Sequence, residues 1–316
     1  MNKISDDILC KVEKPARYVG GELNQVIKNP NEVDIRFAFC FPDVYEVGMS
    51  HLGTRILYHT INERPDTYCE RTFAPWPDME ALMRENNIPL YTLETKDSLD
   101  KFDILGFTLQ YEMSYTNILN MLDMSGITIR ASERGEDEPI IMAGGPCAYN
   151  PEPLYDIVDF FEIGEGEEMM NDVLDVYKKY KGKGQKKEFL REISKIRGIY
   201  VPSLYDVTYN EDGTIKEFKP KYDDVPAKVQ KRVVNNFDAV SFPEEMIVPY
   251  TEIVHDRIVL ETFRGCTNGC RFCQAGMIYR PVREKTTNTL LEQARKAVKA
   301  TGYQEISLAS LSTCDY

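Results

Sequence analysis

No apolar run in this 316-residue sequence approaches ~18 residues, the length a membrane-crossing helix needs, so no transmembrane segment is read from it. The opening stretch MNKISDDILCKVEKP puts acidic residues where a secretory leader needs an apolar centre, and we read the chain as cytoplasmic, with no membrane partner. Positive charge is also scarce. The 38 Lys and Arg are outnumbered by 51 Asp and Glu, a net charge of −13, whereas a surface that grips nucleic acid by charge needs clustered Lys and Arg. Charge therefore does not indicate a nucleic-acid partner, although it leaves room for one held locally. Eight cysteines are present, but thiols stay reduced in the cytosol, so a disulfide framework is not expected.

What remains is an ordinary globular composition, 42% hydrophobic and 28% charged, in a length that suits about two domains of ~150 residues. From Val33, short β-branched or aromatic runs alternate with stretches of helical spacing, the pattern of a parallel sheet covered by helices. The strand candidates are VDIRFAFCF from Val33, IPLYTLE from Ile88, FDILGFTLQ from Phe102, PIIMAGG from Pro139 and VDFFEIGEGE from Val158. Leu52, Ile56, Leu57, Thr60 and Ile61 keep helical spacing between them, as do Ile118, Leu119, Leu122 and Met124.

These segments predict an α/β fold: an extension over 1–32, then an open, mostly parallel, Rossmann-like sheet domain over 33–185. The lysine-rich run YKKYKGKGQKK from Tyr177 reads as a solvated helix end and linker rather than a phosphate patch. A β-rich connector is expected over 186–249, with Asp212-Gly213 between two alternating runs as its hairpin turn. Over 250–316 a strand (IVLETF), a long loop, a helix capped by Thr286 or Thr287 and ended by Gly302, and a second strand (EISLASLS) form one βα repeat. A barrel of such repeats needs on the order of 200 residues, so these roughly 60 only begin one, and we expect a chain cut within a longer barrel.

The segment RGCTNGCRFCQAG sets Cys266, Cys270 and Cys273 in a CxxxCxxC spacing on the loop that leaves the first of these strands. Three thiolates can hold three irons of a cubane cluster if the backbone curls around it, and Gly265, Gly269 and Gly276 allow that curl. The fourth iron is then left open. A structural zinc site would want a fourth Cys or His at paired spacing, and neither His255 nor Cys314 supplies one. A ferredoxin-type carrier would want a fourth cluster cysteine. Cys10, Cys40, Cys69 and Cys147 read as small buried hydrophobes, while Cys314 lies near the end of the second strand, on the side of the cysteine loop.

This loop resembles the signature of the radical S-adenosylmethionine (SAM) superfamily, in which an aromatic residue precedes the last cysteine, as Phe272 does here. The resemblance implies a [4Fe–4S] cluster on Cys266, Cys270 and Cys273, with SAM chelated on the open iron and cleaved reductively to a 5′-deoxyadenosyl radical. It places Phe272 beside the SAM adenine, and Ser310 and Ser312, with Asp315, near the SAM amino group. The stretch SLASLSTCDY departs from the family there, because it lacks the GGE triplet. A reductant such as flavodoxin or ferredoxin is the implied partner, and the substrate is not implied. Arg280, Arg283 and Lys285 read as an exposed basic loop.

Ligands of open α/β sheets bind at the carboxyl ends of the strands, so the loops FPDVYEVGMSHLG, QYEMSYTN, GGPCAYNPEP and GEGE are the ones to inspect. They resemble the cobalamin-binding-type N-terminal domain of radical SAM proteins, roughly from Val33 to Glu168. The resemblance implies a cobalamin held near Asp43, Gly48, Gly144, Gly145, Pro146, Gly164 and Glu165. The DxHxxG motif is absent, since Asp43 is followed by Tyr45 and His51 at other spacings. His51 and His59, eight apart on one predicted helix, read as surface or packed residues. Two alternatives stay open: a methylthiotransferase-like enzyme acting on RNA or ribosomal protein, with Cys10, Cys40 and Cys69 holding a second cluster, and a non-catalytic iron–sulfur or zinc module.

Overall fold

A computed structural model describes residues 4–316. The runs IRFAFCF, ILGFT, IIMAG and FFE are almost wholly buried, as strands of a sheet covered on both faces must be. They form β1 (Ile35–Phe41), β3 (Ile104–Thr108), β4 (Ile140–Gly144) and β5 (Phe160–Glu162). With β2 (Thr67–Phe73) and β6 (Ile199–Tyr200) they make one sheet of order β2-β1-β3-β4-β5-β6. The first five strands are parallel and β6 runs antiparallel to β5. Helices α1 (Leu52–Asn62), α2 (Pro77–Glu85), α3 (Tyr115–Met124) and α4 (Gly166–Tyr180) connect and cover it.

One strand expectation is corrected, and one strand was not expected. IPLYTLE forms no strand; Tyr91 makes only an isolated bridge to Ser98 across a tight turn that includes Lys96 at φ 65°. Pro89 also removes a ladder donor there. The missing strand is TYCERTF, now β2, whose central Glu70 and Arg71 are fully buried. Arg71 pairs with Glu22 at 3.0 Å and Glu94 at 2.7 Å, and Arg36 pairs with Glu70 at 2.6 Å.

The segment expected to be a β-rich connector opens with a helix, α5 (Lys186–Ile193), whose Phe189 packs edge-on against Phe160 and Tyr177. It and β6 therefore extend the sheet domain to Tyr200. The Asp212-Gly213 hairpin forms between β7 (Tyr205–Tyr209) and β8 (Ile215–Pro220), with Gly213 at φ 81°.

Strand β9 (Ile258–Glu261) and strand β12 (Ile306–Ala309) are parallel, joined through α6 (Thr287–Thr301). The Thr286 hydroxyl accepts from the Thr289 amide at 3.3 Å, and Gly302 ends the helix at φ 75°. Phe242, Met246, Ile258, Leu260, Leu290 and Ala297 form a small core that closes on Ile56 of α1. Apolar packing on α1 thus docks the C-terminal unit on the sheet domain. Asn24 adds hydrogen bonds to the carbonyls of Met246 at 2.9 Å and Ala300 at 3.1 Å.

Candidate functional site

That docking brings two sets of strand ends together around a cavity of about 410 Å³. Its floor is one face of the parallel sheet, where alternation along each strand turns Phe37, Phe39, Met142 and Glu162 to the same side. The N-terminal turns of α1 and α4 form a side wall through His51, Leu57 and Gly166. The C-terminal unit closes the top with Glu261, Phe263, Arg264, Tyr279 and Ser310.

The loop residues expected at the site divide into two sets. Gly144, Gly145, Pro146, Gly164 and Glu165 all line the cavity. Asp43 and Gly48 do not. Asp43 accepts a hydrogen bond from its neighbour Val44 at 2.7 Å, and Gly48 lies under Phe73 and Phe41, where a Cβ would come within 2.3 Å of the Phe73 ring. Gly164 has a structural duty as well: at φ 121° it lets the chain cross Arg232, whose carbonyl would be 2.2 Å from a Cβ.

The cysteine loop is held at its base by a two-stranded ribbon, β10 (Phe263–Arg264) against β11 (Arg283–Glu284). Gly265 at φ 97° lets the loop close, since a Cβ there would meet the Pro281 carbonyl at 2.3 Å. Cys266 and Cys273 are half-buried, Cys270 is exposed, and Phe272 is 94% exposed. Among the described residues no three Cys, His, Asp or Glu side chains converge as a metal site. Three thiols without a fourth suit a cluster with an open iron by their chemistry, although among the described residues their sulfurs are not gathered. Asn268 donates to Asp315 at 3.2 Å, which sets the end of β12 beside this loop. Ser310 lies in the cavity wall and shares a hydrogen bond with Thr313 at 2.8 Å, whereas Ser312 stands outside the cavity lining.

Of the basic residues after the loop, Arg280 is exposed as expected, but Arg283 and Lys285 are not. Lys285 is buried over the rings of Phe242 and Phe237, and burial lowers its pKa to about 8. Arg283 pairs with Glu165 at 2.5 Å, and Arg264 pairs with Glu167 at 2.7 Å and Glu261 at 2.8 Å. The GEGE turn is thereby bolted to both strands of the ribbon that carries the cysteines. Burial pushes the Glu165 carboxyl upward, but the hydrogen bond from Arg283 and the Arg264 charge hold it below the ordinary glutamate value.

Two cavity residues were missed as site residues. His51 caps α1, its Nδ1 accepting from the Thr54 amide at 3.1 Å, and burial lowers its pKa to about 4, so it faces the cavity as a neutral imidazole. His59 sits on another part of the helix, 3.4 Å from Glu63, and the two histidines form no pair. Glu162 is 4% exposed, and its Oε1 has no hydrogen-bond partner among the described residues. Burial, with a smaller push from the Glu167 charge, raises its pKa to about 8. The sequence signal was a lone acid in an apolar strand, FFE, which alternation turns inward. Cys40 and Cys69 are fully buried inside β1 and β2, where burial raises both thiols' pKa values, so Cys10, Cys40 and Cys69 are not placed to share a cluster.

Residues 53–202 match the family described as radical SAM proteins, N-terminal. An uncharacterized protein of Methanocaldococcus jannaschii is 26% identical over 283 residues, covering 88% of this chain and 50% of that protein. The chain thus spans about half the length of the curated relative it matches. Among solved structures, the radical SAM methyltransferase TsrM from Kitasatospora setae, with cobalamin and a [4Fe–4S] cluster bound, superposes with a TM-score of 0.51 at 10% identity, covering 88% of this chain and 49% of that one. That likeness carries the fold alone, a mostly parallel α/β sheet with helices. Over residues 53–202 this chain is thus similar to the N-terminal domain of radical SAM proteins.

Proposed function

We propose that the full-length protein is a radical SAM enzyme whose reaction takes place at the cavity between the sheet domain and the cysteine loop. The observation that carries this reading is that Phe263, Arg264 and Gly265, at the base of the CxxxCxxC loop, and the carboxyl ends of β3, β4 and β5 frame one cavity, with the three cysteines themselves outside its lining. Cys266, Cys270 and Cys273 would hold the cluster, which with bound SAM supplies the one-electron cleavage that starts radical chemistry. Phe272 is free to lie along the adenine, and Ser310 and Ser312 are the polar side chains at the end of β12 for the SAM amino group. The Arg264 and Arg283 pairs with the GEGE turn hold the cysteine ribbon against the sheet domain.

Gly144, Gly145, Pro146, Gly164 and Glu165 would wall a cobalamin, the cofactor that the TsrM structure contains. The apolar floor and the Gly144 and Gly166 gaps suit a flat, bulky group. No histidine is spaced as a cobalt ligand should be, and His51 already spends Nδ1 on its helix cap. A flavodoxin- or ferredoxin-type reductant is the partner such chemistry needs. The burial of Cys40 and Cys69 speaks against a second cluster and hence against the methylthiotransferase reading.

Anaerobic reconstitution of the full-length protein tests the proposal. About four irons per chain and 5′-deoxyadenosine from SAM plus reductant are expected, with about eight irons pointing to the two-cluster alternative. Cys270→Ala should abolish the thiolate-to-iron absorbance. Retention of that band in the variant, or no 5′-deoxyadenosine from the reconstituted full-length protein, overturns the reading.

A further inference from the structure

Strand β5 places Phe160 and Glu162 on the same face of the sheet, and Phe160 is sealed in the core while Glu162 comes out at the cavity. Its ladder neighbour on β4 is Gly144, whose missing side chain would have stood 3.5 Å from the Glu162 Cβ. Gly166 at the start of α4 leaves a second gap, 3.3 Å from Oε2. Glycines on two sides therefore leave the carboxyl with no side chain to bond, and among the described residues its Oε1 is the one buried acid oxygen without a partner. Native proteins leave few such atoms, and one at a cavity wall points to a ligand.

The chemistry around it narrows that ligand. Phe37, Phe39, Leu57, Met142 and Met170 give flat apolar walls. The titratable groups facing the cavity are Glu165 and Glu167 from the turn into α4, His51 from α1, and Glu261, Arg264 and Tyr279 from the C-terminal unit. Arg264 is already shared between Glu167 and Glu261, so no free cation awaits an anion. Burial keeps Glu162 protonated up to about pH 8, and a neutral carboxyl sets an O–H donor beside a carbonyl acceptor. That pair is the complement of an amide edge.

We infer that Glu162 is the polar anchor of this cavity, where its carboxyl makes a paired hydrogen bond with an uncharged carboxamide-type group on a largely apolar, ring-bearing ligand. The inference deepens the cofactor-cavity reading above and rests on it. Hydroxocobalamin carries carboxamide arms and serves as the large probe; benzamide and its isostere benzoate serve as the small pair. Binding to the full-length protein is followed by absorbance for the first and ligand-observed NMR for the others, from about pH 6 to about pH 9. Benzamide should bind about tenfold or more tightly than benzoate, and wild-type affinity should fall as pH rises through about 8. Glu162→Ala should lose about tenfold in affinity, while Glu162→Gln, a neutral donor–acceptor pair at every pH, should bind like the wild type and lose the alkaline fall.

Equal binding of benzamide and benzoate, a flat wild-type pH profile, undiminished binding by Glu162→Ala, or no binding of either benzamide or hydroxocobalamin would each overturn the assignment. If benzamide follows the expected pattern and hydroxocobalamin does not bind, the Glu162 role stands and the cobalamin reading falls. Circular dichroism of the Gln variant separates a ligand effect from misfolding.

Discussion

Two groups of buried charges in this chain are built to opposite ends. Around β2, Arg71 bridges Glu22 and Glu94, and Glu70 takes Arg36, Thr92 and Thr95, so each of these acids is matched. Around the cavity, Arg264 and Arg283 satisfy Glu165, Glu167 and Glu261, and Glu162 is left over. A matched buried group joins segments; here it ties the N-terminal extension through Glu22, and the turn through Glu94, to the sheet edge. An unmatched one costs stability, and a fold retains it where something outside the chain can match it. Glu162, at 4% exposed, is as buried as Glu22, so what sets it apart is partner count rather than depth.

Breaking the matched group should have the largest effect. Arg71→Ala leaves Glu22 and Glu94 buried without a cation, and a loss of about 3–5 kcal/mol is expected in urea unfolding. A loss under about 1 kcal/mol would mean the β2 group is not holding the edge. Next, Arg264→Ala strips Glu167 and Glu261 of their shared partner and should cost about 2–4 kcal/mol, together with lower iron retention after reconstitution. Wild-type iron retention would show that the cysteine ribbon does not depend on the GEGE turn.

The unmatched acid should respond with the opposite sign. The folded-state pKa of Glu162, about 8, lies above its unfolded value, so its contribution is favourable at low pH and is lost as pH rises from about 4.5 to about 8. Glu162→Gln should therefore raise stability by about 1–3 kcal/mol at pH 8 and by little at pH 4, read from paired unfolding curves. A stability gain of equal size at both pH values would remove the ionisation from the explanation. The smallest effect is expected at His51. Its folded value, about 4, lies below the unfolded value of about 6.5, so its contribution is full above about pH 6.5 and is lost as pH falls toward 4. His51→Ala should cost about 1 kcal/mol for the lost cap and flatten that acid slope; an unchanged slope would place the titrating group elsewhere.

How much was legible follows the same physics. Strands β1, β3, β4 and β5 were readable because helix-covered parallel strands are continuous apolar runs. Strand β2 was not, because Glu70 and Arg71 look like surface residues until Arg36, Glu22 and Glu94 are known to meet them, and those partners lie 23 to 49 positions away in the sequence. Propensity misled at IPLYTLE, where a proline and a tight turn overrode aromatic and β-branched content. Of the loop glycines, those after β4 and β5 reached the cavity, while Gly48 was required by helix packing alone, a distinction that depends on which ring lies opposite.

By itself the sequence determined the alternation of strands and helices, the turn at Asp212-Gly213, the caps of α6 and the spacing of three cysteines on one loop. These are local properties, set by periodicity, backbone freedom and side-chain reach within a few residues. Only the tertiary structure decided that the base of the cysteine loop and the sheet share a cavity, that the GEGE acids are bound to Arg264 and Arg283, and that among the described residues Glu162 stands alone among them. Charge matching inside a fold depends on which distant segments meet, and in this chain the docking of β9 and α6 on Ile56 sets that meeting.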